Sequence, residues 1–141
     1  MQTVRTVLAV IGGIVAWIVV ATLGNFVLRA ALPGYVAVEK SMDFTLAMLW
    51  ARLVLGAIST IAAGFVVAWL TSGRSVPTRA FAIVLLLCFV VMHLQIWHKF
   101  PVWYHLLFLG SLVPLALWGA ALSGTLGPRR NALVDGVEAG R

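Results

Sequence analysis

Acidic residues are nearly missing from this chain. Of 141 positions only Glu39, Asp43, Asp135 and Glu138 carry a carboxylate, and charged residues of both signs make up 10%. A soluble domain needs a polar exterior, so the shortage points to a chain that uses lipid as its solvent. None of the four carboxylates lies inside a long apolar run, where proton- or cation-coupled exporters need one. Cysteine is equally scarce. Cys88 stands alone, which excludes an intramolecular disulfide and any Cys-x-x-Cys metal or redox pair. The sequence also has no His-Glu-x-x-His, no glycine-rich phosphate loop and no serine in a nucleophile setting, so an intramembrane hydrolase or transferase has no support.

What is present is apolar: 62% of residues are hydrophobic and the mean hydropathy is +1.06. The formal charge of +6 would raise the question of nucleic acid in a soluble protein. Here the Lys and Arg residues lie mostly at the ends of apolar runs, where they report orientation and contact with lipid headgroups, and no basic patch is interleaved with aromatics on a soluble face. The partner implied is therefore the lipid bilayer, with no nucleic acid.

Four helices are expected, over about 7–32, 44–70, 80–97 and 101–123. Arg5 ahead of the first run resembles the basic start of a signal sequence. No small-x-small site closes that run, and it is longer than a signal core, so an uncleaved signal anchor is expected. Pro33 and Gly34 end the first helix, and Asp43 is the expected N-cap of the second. Trp50 and Trp69 stand about 28 Å apart along that helix at 1.5 Å per residue, close to the hydrocarbon thickness. Residues 71–79 carry Gly73, Pro77 and small hydroxyls and read as a loop. Pro101 suits the first turn of the fourth helix, and Pro114 interrupts it. The expected architecture is thus an all-α, four-helix transmembrane bundle over 1–124, with a tight outer hairpin between helices three and four. A flexible cytoplasmic tail would follow over 125–141. Arg5, Arg74, Arg79, Arg129, Arg130 and Arg141 would share one side, against Arg29, Lys40, Lys99 and Arg52 on or near the other. That balance places both termini in the cytoplasm and the chain in the plasma (bacterial inner) membrane.

With this topology the polar side chains gather toward the outer leaflet. Asn25 and Arg29 end helix one and Arg52 begins helix two. His93 and His98 end helix three, and Tyr104 and His105 begin helix four. Thr22, Asn25 and Arg29 share a helix face. For Arg52 two readings stand: a stem that snorkels to the headgroups, or a buried head paired with Glu39 or Asp43. His93 and His105 should lie at similar depth on adjacent helices. There they serve as structural hydrogen-bonding groups, or meet a ligand, or, with His98, a metal. The H-x4-H-x6-H spacing matches no specific metal motif. Trp97 and Tyr104 read as an interfacial belt or as part of a ligand cluster. Gly56, Thr60 and Gly64 form a small-x-x-x-small seam that permits close helix packing.

These features do not specify an activity. The reading that asks least of them is a non-enzymatic accessory or complex subunit, packing through the Gly56, Thr60 and Gly64 face against itself or another membrane protein, with no cofactor. The alternatives are a binder of haem, metal, quinone or another small molecule at His93, His105, Arg52, Asn25, Trp97 and Tyr104, and a small transporter or channel subunit.

Overall fold

The computed structural model describes residues 2–126. The elements are α1 (Gln2–Ala31), α2 (Tyr35–Glu39), α3 (Leu46–Leu70), α4 (Ser75–Gln95), a 3-10 turn (Trp97–Lys99) and α5 (Val102–Leu126), with no strand among the described residues. Four of these, α1, α3, α4 and α5, are long and apolar enough to cross a membrane. The expected tail lies outside the described residues, apart from 125 and 126, which close α5.

The departures from expectation are local and each has a physical cause. α1 begins at Gln2, well before the apolar run, because nothing between Gln2 and Thr6 breaks a helix; the Thr6 hydroxyl donates to the Gln2 carbonyl at 3.1 Å. α4 begins at Ser75 inside the expected loop. Pro77 falls in its first turn, where no intrahelical N–H bond is due, so the proline is tolerated there. The N-cap of α3 is Thr45 instead of Asp43: the Thr45 hydroxyl accepts from the Met48 N–H. Between α1 and α3 lies the short α2, which no apolar period announced. It starts after Gly34, whose φ of +76° lets the chain turn back directly behind Pro33.

Around the bundle α1 neighbours α3, α3 neighbours α5, α5 neighbours α4, and α4 returns to α1. α1 and α5 therefore stand at opposite corners. In lipid the tails outside are as apolar as the core, so burial alone does not hold helices together; close packing and interhelical hydrogen bonds do. Both are visible here. Gly64 lies on the Ala116 backbone and Gly119 on the Ile61 backbone, so tightly that a Cβ at either glycine would overlap the facing carbonyl. Gly64, with Gly56 beneath the Phe108 ring and the buried Thr60 between them, thus makes the small-residue seam internal to the bundle, its glycines facing α5. The Thr60 hydroxyl also accepts from Trp17 Nε1 at 3.1 Å while donating to the Gly56 carbonyl at 2.8 Å, which ties α1 to α3. Ala63, Val67, Phe81, Ala82, Leu112 and Ala116 fill the rest of this half of the bundle.

Candidate functional site

The other half, at the end bearing α2 and the 3-10 turn, is built differently. Pro33 and Gly34 reverse the chain so that Tyr35 folds back under α1, with no exposed surface. Its hydroxyl donates to Asn25 Oδ1 at 3.0 Å and accepts from Arg52 Nη1 at 2.7 Å. Asn25 in turn donates through Nδ2 to Glu39 Oε1 at 3.0 Å. Arg29 grips the same carboxylate, Nε to Oε1 at 3.3 Å and Nη2 to Oε2 at 2.7 Å. One chain of polar contacts thus runs from Arg52 on α3 through Tyr35 and Asn25 to Glu39 and Arg29. The hydrogen bonds from Asn25 and Arg29, with the Arg29 charge behind them, hold the Glu39 carboxyl below its ordinary pKa.

Arg52 follows neither sequence reading fully. Its guanidinium turns inward, but its partner is the Tyr35 hydroxyl and not Glu39 or Asp43. The guanidinium carbon sits 4.6 Å from the centre of the Phe44 ring, a cation–π contact that partly replaces water. Arg52 Nε is sealed from solvent and has no hydrogen-bond partner. The Tyr104 hydroxyl lies beside the same head.

His93 on α4 and His105 on α5 meet directly, Nδ1 to Nδ1 at 2.7 Å. His105 Nε2 stands 3.2 Å from the Trp97 carbonyl, which can only accept. With both rings neutral, the arrangement that satisfies both contacts has the His105 proton on Nε2 and its Nδ1 accepting from His93 Nδ1–H. His93 is left with Nε2 unpartnered among the described residues. One hydrogen-bond length between the two rings leaves no room for a metal ion that each nitrogen would hold at about 2.0–2.1 Å. Among the described residues no three His, Cys, Asp or Glu side chains gather, and His98 is exposed in the 3-10 turn. Rings pack around the pair: Trp97 stacks on His105 at 4.5 Å and Phe108 on His93 at 4.7 Å between centres.

These side chains border a cavity of about 770 Å³. α1 and α4 touch at Gly13 and Phe81 and again where Trp17 meets Phe89, 4.7 Å between ring centres. Beyond that level the two helices face each other across open space. Ile14, Trp17, Leu55, Leu85, Phe89 and Phe108 line the apolar depth; Thr22, Asn25, Glu39, Arg52, His93, Gln95 and Tyr104 supply the polar groups. At the rim stand Ile18 of α1 and Met92 of α4, both more than half exposed (53% and 55%), together with the exposed Cys88. The opening is therefore sideways, between α1 and α4, toward the space lipid would occupy.

Of the residues singled out from sequence, Asn25, Arg52, His93 and Tyr104 share this cavity. His105 is fully buried behind His93, and Trp97 stacks on its far side; neither is among the lining residues. Tyr35, Phe44 and the Trp17–Phe89 floor were not picked out. Tyr35 had a usable signal, an aromatic hydroxyl placed just after a Pro-Gly reversal. The floor had none, because neighbourhood between α1 and α4 is not written in either helix. Compared with known proteins, the chain matches no family model, no curated protein and no solved structure.

Proposed function

We propose that this is a multi-pass protein of the plasma (bacterial inner) membrane that binds an amphiphilic small molecule in the lateral cavity. The observation that carries the reading is the cavity itself. Its volume of about 770 Å³ falls within the roughly 300–1,000 Å³ range of small-molecule sites, which are mostly apolar with a few convergent polar groups. A ligand reaching it sideways from lipid would lay its apolar body against Ile14, Trp17 and Phe89 and turn its polar part toward Arg52, Asn25, Tyr104 and His93.

Orientation follows from the basic residues. Arg5, Arg74 and Arg79, with Arg129, Arg130 and Arg141 of the tail, belong in the cytoplasm. That topology puts both termini inside, the α4–α5 connection outside and the cavity in the outer leaflet. The accessory-subunit reading is left without a free small-residue face, since Gly56 and Gly64 are engaged by α5 and Thr60 by Trp17 of α1. A transporter would need a polar path onward, and below the cavity stand Ala63, Val67, Phe81 and Leu112.

Native mass spectrometry of protein released gently from membranes tests the reading. The wild type is expected to carry one small amphiphilic molecule per chain, and Ala21→Trp, which fills the cavity from α1, is expected to lose it. A bound molecule retained unchanged in Ala21→Trp, or wild-type protein that stays empty after incubation with lipid extract, would contradict it.

A further inference from the structure

We infer that the ligand is a lipophilic monoanion, a carboxylate on an apolar body, whose head is seated at Arg52. This rests on the cavity being a binding site. Two charged side chains line it, Arg52 and Glu39. Both Glu39 oxygens are already held, by Asn25 and by the fork of Arg29. Among the described residues Arg29–Glu39 is the one ion pair, so Glu39 is matched by Arg29 and the cavity lining keeps one unmatched charge. That charge is the Arg52 guanidinium.

What surrounds Arg52 does not neutralise it. Tyr35 offers a hydroxyl lone pair while giving its own proton to Asn25, Tyr104 offers a second neutral hydroxyl, Phe44 offers a ring face, and Nε has nothing. A guanidinium has five N–H donors, and Tyr35 takes one of them. Apart from the sealed Nε, the remaining donors belong to the two terminal nitrogens. Ionised groups within a membrane are costly unless paired, and attraction between opposite charges grows as water is excluded. An entering carboxylate supplies the missing negative charge and matches the planar fork of arginine. A phosphate monoester fits less well: it brings close to two negative charges to a site with one to neutralise. The Tyr104 hydroxyl, beside the guanidinium, is placed to donate to the same head.

A chain-matched pair of probes separates head from tail: hexadecanoic acid and hexadecanol, at equal mole fraction in lipid nanodiscs holding the full chain. The pH is set at about 9, well above a surface-shifted carboxylic acid. Cys88, the one cysteine, stands exposed at the cavity rim, so the rate at which N-ethylmaleimide labels it reports a molecule seated across the opening. The acid is expected to protect Cys88 at a concentration about tenfold below that needed for the alcohol. In Arg52→Met the acid should protect no better than the alcohol, with the alcohol unchanged as the control for an intact cavity. Equal protection by both probes in the wild type would overturn the monoanion while leaving a binding cavity in place. A preference for the acid that persists in Arg52→Met would overturn the role of Arg52. If neither probe slows labelling, the binding reading falls as well.

Discussion

The two halves of this bundle solve the same problem in opposite ways. Toward the α3–α4 turn, glycine and alanine let backbones touch: Gly64 meets Ala116 and Gly119 meets Ile61 with no space for a side chain. Toward α2, rings and long polar side chains replace them, the helices part above Trp17 and Phe89, and a cavity remains. Tight packing of apolar atoms supplies stability where polar groups are few. The open half is held by hydrogen bonds that run through Tyr35, Asn25 and Glu39. Added volume is therefore tolerated in the open half and not in the tight one.

The largest effect is expected from breaking the tight half. Gly64→Leu should destabilise by about 3 kcal/mol, at the upper part of the overpacking range, because the facing atoms are backbone and cannot swing away. Ala21→Trp adds a larger side chain but adds it to empty space, and should lie between neutral and about 1 kcal/mol stabilising. Unfolding of both variants by SDS in the same mixed micelles checks the contrast; similar losses would erase the distinction between the halves.

Within the open half the two histidines should also differ. His105→Ala removes a fully buried ring and leaves the His93 Nδ1–H and the Trp97 carbonyl without their partner, a loss of about 2 kcal/mol. His93→Ala exposes its partner to the cavity and should cost less, about 1 kcal/mol, while changing ligand retention. His105→Ala should reach the ligand only indirectly. Unfolding measured beside ligand retention separates stability from binding.

A smaller effect is expected where the halves join. Trp17→Phe keeps the ring on Phe89 but removes the indole N–H from Thr60, about 1 kcal/mol. The glycine contacts between α3 and α5 are untouched, so that seam should stay intact.

The smallest effect concerns acid. Because Glu39 has its pKa depressed by Asn25 and Arg29, its contribution is fully present above the ordinary carboxylate value and fades as pH falls through the folded value. The α2 clamp should therefore loosen on acidification, read as faster amide exchange from Tyr35 to Glu39. Glu39→Gln should flatten that dependence. An acid limb that is unchanged in Glu39→Gln would assign it to another group.

The four spans were legible because apolar runs of membrane length end at residues that stop or redirect a helix, Pro33 and Gly34 above all. The small-residue seam was legible as spacing, yet its partner was not: Gly56, Thr60 and Gly64 permit a close neighbour without saying which helix it is. Asp43 and Thr45 are both good caps two positions apart, and the choice depends on where Phe44 can reach Tyr35 and Arg52. Pro77 read as a loop residue because its tolerance in a first helical turn depends on where the turn begins. His93 and His105 were brought to one depth by counting from Pro101. The proton order between them came only with the Trp97 carbonyl. The cavity is a space between α1 and α4, which are separated in sequence by α2 and α3, and no local pattern encodes such a gap.

The most direct measurement is a density map of the full chain in a lipid nanodisc. An elongated density is expected between α1 and α4, passing between Ile18 and Met92, with its apolar length over Trp17 and Phe89 and its head at Arg52. A map in which α1 and α4 close on each other along their whole length, with Ile18 packed on Met92 and the Arg52 head turned out to the headgroups, would contradict it.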